Sequence, residues 1–300
     1  TQYAHYTSEK VIRGIWSALE QFGFAKGSIL EPGMGIGLFP VAAPKNLIEN
    51  SGYTGIELDS MTARIAKLLL PDQAVIENDF IKQKLPENHF DVAIGNPPFA
   101  NIKIMADPKY KKHRFLLHDY FFAKSLDAVR PGGLLVFVTS KGTMDKRDAA
   151  AREYMAAQAD LLGAIRLPQT AFKQNAGTEV VTDVLFFRKR MAGEEPGGQK
   201  WLGHAEITAK NEAGEDVTGL INEYYAEHPE MVLGDHAFTG SMYKSDEYTV
   251  TPREGDIEQH FIEAVKLLPK AVFAQQSKAQ EIAQATAERD WSPTAQKEGS

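Results

Sequence analysis

Gly95-Asn96-Pro97-Pro98-Phe99 follows the apolar stretch Phe90-Asp91-Val92-Ala93-Ile94 and reads as the carboxyl end of a buried strand. Two consecutive prolines cannot donate to a sheet ladder, and they fix a stiff, extended turn. In such a turn the Asn96 side-chain oxygen and the Pro97 carbonyl can point at one spot, with the Phe99 ring beside it. Two acceptors and an aromatic face suit a planar group that carries an amino nitrogen. The plain structural alternative is a strand-to-helix turn around a buried phenylalanine.

A second run bears on that choice. Ser28-Ile29-Leu30 is a short apolar strand, and Glu31-Pro32-Gly33-Met34-Gly35-Ile36-Gly37-Leu38-Phe39 follows it directly. Glycines at 33, 35 and 37 make a loop without side chains, so backbone can approach a ligand closely where strand turns into helix. Alone, this could be a nucleotide-phosphate turn. Gly55-Ile56-Glu57-Leu58-Asp59 ends the next strand at a spacing, about twenty-five residues, where nucleoside-binding sheets place an acid on the ribose hydroxyls. The absence of GK[ST] excludes a P-loop.

These loops need a sheet to hold them. Thr7 or Ser8 reads as an N-cap, with Val11, Ile12, Ile15, Trp16 and Leu19 forming the apolar face of a helix that ends near Gly23. Strands are expected at Ile29–Glu31, Tyr53–Glu57, Ala74–Glu77, Asp91–Gly95 and Leu134–Thr139, with helices near Met61–Leu70, Asp119–Val129 and Lys146–Gln158. That alternation implies an α/β fold with a parallel sheet covered on both faces. Leu161–Leu167 and Val180–Arg188 are two further strands with no clear helix between them, which makes an antiparallel pair at one edge of a seven-stranded, doubly wound and mostly parallel sheet. Residues 191–200 are the clearest linker. The expected organisation is a domain over residues 1–190, that linker, and a small carboxyl-terminal appendage over 201–300. The appendage comprises a strand at Trp201–Thr208, an irregular aromatic segment, an amphipathic helix from about Asp256, and a helical or partly disordered tail. The start at Thr1 reads as a processed chain or an excerpt of a longer one.

Composition narrows the chemistry. A 300-residue chain with 43% apolar residues can bury a sizeable core. No apolar run is long enough to span a bilayer and no secretory signal opens the chain, which reads as a cytosolic type of protein. Zero cysteine excludes disulfides and thiolate metal sites, and no metal is expected. It also removes ring-carbon methylation of cytosine, which needs a covalent cysteine nucleophile. The net charge of −7 does not favour nucleic acid globally. However, Lys103, Lys109, Lys111, Lys112, His113 and Arg114 crowd the segment after Phe99, either as a solvated loop or as phosphate contacts.

Segments 5–12 (HYTSEKVI), 30–39 (LEPGMGIGLF), 55–60 (GIELDS), 77–80 (ENDF) and 95–99 (GNPPF) together resemble the amino-methylating DNA methyltransferases that use S-adenosylmethionine, in the motif order of the adenine-specific gamma group. The resemblance is collinear and covers residues 1 to about 190. It implies a class I methyltransferase fold, S-adenosylmethionine as cofactor and DNA as partner, in a bacterial or phage-encoded restriction-modification setting. It implies Thr7 at the methionine carboxylate and Glu31 near the methionine amino group. The backbone of Gly33 to Gly37 would run beside the ligand, with Glu57 on the ribose hydroxyls and Leu58 adjoining. Asp79 would accept from the adenine amino group of the cofactor, with Phe80 or Ile56 against its ring. Thr7 could equally be a helix cap, Asp79 a turn residue and Phe80 core.

An aromatic amine is a poor nucleophile because its lone pair is spread into the ring. Acceptors on its hydrogens, assigned to Asn96 and Pro97, would localise that pair toward an in-line methyl donor, and no strong base is needed. A stacked base must be flipped out, and aromatic faces offset the cost. Phe99 supplies one face, and the resemblance puts Phe172 at the other. Lys109, Lys111, Lys112 and Arg114 would hold phosphates.

The carboxyl region is short for a target-recognition domain. The stretch from Tyr224 to Pro252 resembles the methylase region of large methylase and helicase fusions of phages, plasmids and conjugative elements, so helicase or recognition domains in the same or another chain are expected partners. Methylation of an RNA base or a protein glutamine amide uses the same NPP[FY] signature, and a catalytically inactive cofactor-binding module is a third reading. HYTSEKVI favours the DNA group over the glutamine group, and the intact Asn96 and Glu57 argue against a dead module.

Overall fold

A computed structural model of the chain describes residues 7–171, 180–240 and 247–274. Its centre is a seven-stranded sheet. The strands are β1 (Ser28–Pro32), β2 (Gly52–Glu57), β3 (Ala74–Glu77), β4 (Phe90–Gly95), β5 (Val129–Ser140), β6 (Ala159–Leu167) and β7 (Thr182–Lys189), in the spatial order β3-β2-β1-β4-β5-β7-β6. The pairs β1–β2, β2–β3, β1–β4 and β4–β5 are parallel, whereas β7 runs antiparallel to both β5 and β6. The expected mostly parallel sheet with an antiparallel pair at one edge is therefore the observed one. Chain order reverses between β1 and β4, and right-handed crossovers on the two sides of that point put helices on opposite faces. Every residue of β1 and β4 is accordingly buried.

The helices form where caps and apolar faces coincide. Helix α1 (Glu9–Gln21) is capped by Ser8, whose Oγ accepts from the Val11 amide at 3.4 Å, and it buries Val11, Ile12, Ile15, Trp16 and Leu19. Two short helices, α2 (Leu38–Val41) and α3 (Lys45–Glu49), follow the glycine loop. Asp59 caps α4 (Ser60–Leu69) by accepting from the Thr62 amide at 2.8 Å, which turns the chain sharply just beyond Glu57. Helix α5 (Leu117–Ala128) is almost wholly buried, and α6 (Gly142–Asp145) and α7 (Ala150–Ala156) replace the single helix expected over 146–158. Strand β5 also begins five residues earlier than expected, running straight through Pro131-Gly132-Gly133, with a register shift against β4.

Beyond the exposed segment 191–200 the chain makes two antiparallel hairpins, β8 (His204–Lys210) with β9 (Asp216–Asn222) and β10 (Gly234–Gly240) with β11 (Glu247–Pro252). Between them lies α8 (Glu223–Glu227), and α9 (Ile257–Leu267) comes last. Buried polar side chains bind this part to the sheet. Arg166 on β6 is fully buried, paired with Asp183 (2.7 Å) and Asp145 (2.9 Å), and its guanidinium lies 4.1 Å from the centre of the Tyr225 ring. Asn222 donates to the Met144 and Trp201 carbonyls at 2.8 and 2.7 Å. Helix α9 lies on α1, where a side chain at Gly14 would meet the Phe261 ring at 2.3 Å. Gln21 closes the contact by donating to the Val265 and Leu268 carbonyls, both at 2.8 Å.

Candidate active site

A cavity of about 460 Å³ opens at the carboxyl ends of β1, β2 and β4, where the strand order reverses and an open α/β sheet leaves a crevice. Three loops form it. The turn after β1 contributes Glu31, Gly33, Met34, Gly35, Ile36 and Leu38; the end of β2 contributes Ile56, Glu57 and Leu58; and the turn after β3 contributes Asn78, Asp79, Phe80 and Ile81. Asn96 and Pro98 come from the end of β4, Leu117 and Phe121 from α5, and Thr7 and Ile12 from the amino-terminal end.

Gly33, Gly35 and Gly37 all have positive φ, at +70°, +58° and +85°, a conformation that side-chained residues rarely adopt. A β-carbon built on Gly35 meets nothing within 4 Å, so the loop leaves open space beside its backbone. Glu57 is held from two sides, its Oε2 accepting from the Gly35 amide and its Oε1 from the Asp59 amide, both at 2.9 Å. Leu58 stands beside it and is 70% exposed.

Glu31 is buried beneath the loop, where Tyr53 of β2 donates to its Oε2 at 2.5 Å. Burial pushes its carboxyl up to about 8, against the pull of the Tyr53 hydrogen bond and with a further push from Glu57. Such a group is mostly neutral until a cation is brought beside it. Also lining the cavity, the Thr7 hydroxyl is buried and has no hydrogen-bond partner among the described residues. Ser8 takes the capping role, which leaves Thr7 directed at the cavity. A donor awaiting an anion and a carboxylate awaiting a cation fit the two ends of an amino acid, and the open glycine loop fits its extended chain.

Asp79 performs the turn role and lines the cavity as well: its Oδ1 accepts from the Ile81 amide at 2.9 Å. Phe80 is both core and cavity wall, with its ring 4.4 Å from that of Phe121. Asn96 and Pro98 reach the wall, while Pro97 is buried behind it and Phe99 packs half-buried against the core. Phe172 lies outside the described residues.

Of the basic segment, Lys109 is drawn into ion pairs within the fold. Its Nζ is engaged by Asp127 at 2.6 Å and Glu87 at 2.7 Å. Asp127 also accepts from the Tyr110, Tyr154 and Gln158 side chains. Asp127 ends α5 while Leu117, which touches the cavity, begins it, and ten residues of helix separate them by about 15 Å. Lys111, Lys112 and Arg114 follow in an exposed turn.

Sequence reasoning passed over Tyr53, Leu117 and Phe121. Tyr53 had a legible signal, a hydroxyl near the start of a strand beside the one that carries Glu31. The other two sit in an almost wholly buried helix, where burial on every side hides which face meets the cavity.

Comparison with known proteins agrees with this geometry. The Eco57I restriction-modification methylase family matches residues 45–172. Over 194 residues the chain is 29% identical to the Defense against restriction protein B of Escherichia phage P1, a match covering 63% of this chain and 8% of that much longer protein. It is 25% identical over 199 residues to the rRNA N(6)-adenosine-methyltransferase metl-5 of Caenorhabditis elegans, covering 63% of this chain and 87% of the relative. Among solved structures, a Listeria monocytogenes protein described as a class I S-adenosylmethionine-dependent methyltransferase superposes with a TM-score of 0.56 at 18% identity, over 64% of this chain and 63% of the other, a likeness of fold.

Proposed function

From a fold shared with class I S-adenosylmethionine-dependent methyltransferases and the match to the Eco57I restriction-modification methylase family, we propose that the chain methylates the exocyclic N6 amino group of an adenine in DNA. One observation carries the reading. Asn96 and Pro98, from the Asn-Pro-Pro-Phe turn, stand in the same cavity wall as Glu31, the glycine loop and Glu57, so an amine acceptor adjoins the cofactor site.

When bound, the cofactor supplies an activated methyl group. The Thr7 hydroxyl would donate to its carboxylate and Glu31 would hold its ammonium, while Glu57, aligned by two backbone amides, would accept from the ribose hydroxyls. Asp79 uses its second oxygen for the amino group of the cofactor's base, beside Phe80. On the acceptor side Asn96 and the Pro97 carbonyl accept from the target amine, a contact that strengthens as the nitrogen becomes positive. The target base leaves its stack at a cost of a few kcal/mol, and stacking on Phe99 offsets part of it. Target choice is assigned to recognition or helicase parts in the same or another chain, because the region beyond residue 200 is short for a reader of sequence.

Incubation with methyl-labelled cofactor, separation of DNA, RNA and protein, and digestion to nucleosides tests the reading. Label in N6-methyldeoxyadenosine supports it, and label confined to protein or to another base refutes it. The match to an rRNA methyltransferase favours one second reading, N6 methylation of an RNA adenine, which the same digest would reveal.

A further inference from the structure

Lys124 takes no part in the site described above, yet it is buried within α5 and its ammonium is aimed at the back of the cavity wall. It donates to the Phe80 carbonyl at 2.7 Å and to the Ile81 carbonyl at 3.2 Å, the two residues that follow Asp79 in that wall. The same ammonium meets the Tyr120 hydroxyl at 2.9 Å and lies 5.0 Å from the centre of the Phe80 ring. Asp107 balances its charge at 3.6 Å and also accepts from the Tyr120 hydroxyl at 2.7 Å. Asp107 belongs to the loop that leaves the Asn-Pro-Pro-Phe turn, and it organises that loop by accepting from the Lys109 and Lys111 amides. One buried cation therefore joins the turn bearing Asp79 and Phe80 to the loop that follows Phe99. A methionine in its place would take this donor from the Phe80 and Ile81 carbonyls and the countercharge from Asp107 behind the wall.

We propose that Lys124 is a positioning residue for the adenosine end of the cofactor, setting the place of the Asp79–Ile81 turn through its two carbonyls. The proposal rests on reading that turn as the wall of the cofactor's base. Lys124 itself touches no ligand.

The test measures calorimetric affinity for S-adenosylmethionine and for adenosine, unfolding midpoints, and kcat at saturating cofactor. Lys124→Met is expected to weaken both ligands by the same factor, about tenfold, as loss of a charged hydrogen bond would. Turnover at saturation should stay within about threefold of the unmodified protein. Lys189→Met is the control. Lys189 is another buried lysine, but it donates to the Leu126 and Val129 carbonyls away from the cavity, so its loss should lower the unfolding midpoint without changing either affinity. Lys124→Gln, which keeps a donor, should lie between unmodified protein and Met, and it replaces Met if that variant does not fold. Asp79→Ala probes the underlying reading. If Asp79→Ala leaves adenosine affinity intact, the wall assignment fails. If Asp79→Ala weakens adenosine while neither Lys124 variant does, or if Lys189→Met weakens it as much as they do, the positioning role of Lys124 is overturned.

Discussion

Lowering the pH from 7 to 6 should weaken S-adenosylmethionine binding about tenfold, and Glu31 is the reason. Burial raises its carboxyl to about 8, Glu57 adds to the rise and the Tyr53 hydroxyl opposes it. Tyr53 itself titrates far above 10 and stays neutral throughout. Without ligand Glu31 is thus mostly protonated at neutral pH, and a ligand ammonium must expel that proton. Below pH 8 each unit costs about 1.4 kcal/mol, a factor of ten, and at pH 7 binding should release about 0.8 proton, Glu31's loss less what the ligand's amino group takes up. An α-amino group ordinarily loses its own proton at about 7.7–8.0, so affinity should peak near pH 8 and decline above it. Calorimetry in two buffers of different ionisation enthalpy measures the proton directly. Glu31→Gln should abolish the release and flatten the acid limb. The same raised value acts on the ligand-free fold, with its contribution to stability fully present below 4.5 and lost as pH rises through about 8. The unmodified protein should therefore lose more stability than Glu31→Gln between pH 6 and 8.5. An affinity unchanged between pH 6 and 7, or an equal slope in the Gln variant, would refute the assignment of the ammonium to Glu31.

Three further outcomes are expected. Glu57→Ala should weaken cofactor binding by more than about 1.5 kcal/mol in a calorimetric titration, the low end for hydrogen bonds to a charged group. Asn96→Ala should keep cofactor affinity and lose most methylation, since Asn96 is assigned to the target amine; wild-type turnover in single-turnover assays would place amine activation elsewhere. Lys109→Gln should leave the slope of log affinity against log salt for duplex DNA unchanged and lower the unfolding temperature, because its ammonium serves Asp127; a slope reduced by about 0.9 would instead mark a phosphate contact.

The catalytic half of this fold was legible because its signals are local. Strand alternation, the glycine loop, the acid after β2 and the double proline each declare themselves within a few residues, and the sheet order at the switch point brings them together. The choice between Thr7 and Ser8 as cap was not legible, since both are good caps and only the path of the chain decides. At Lys109 the run of cations pointed to solvent or phosphate but not to the acid that holds it, Asp127, which lies 18 residues away at the far end of a helix. The hairpins after residue 200 were hard to read because their register depends on buried partners such as Arg166 and Asn222, which no periodicity reports.

The return of α9 onto α1 sets an order on how the protein can be made. Gln21 is joined to carbonyls 244 and 247 residues further along, so this contact is among the most non-local in the chain. During synthesis the sheet from β1 to β5 can assemble from what has emerged, but the helix that follows Thr7 lacks its outer brace until Phe261 and Val265 leave the ribosome. Closing so long a loop is entropically slow, and its reward comes only at the end. The amino-terminal corner of the cavity, with Thr7 and Ile12, is therefore fully braced only once nearly the whole described length has been translated.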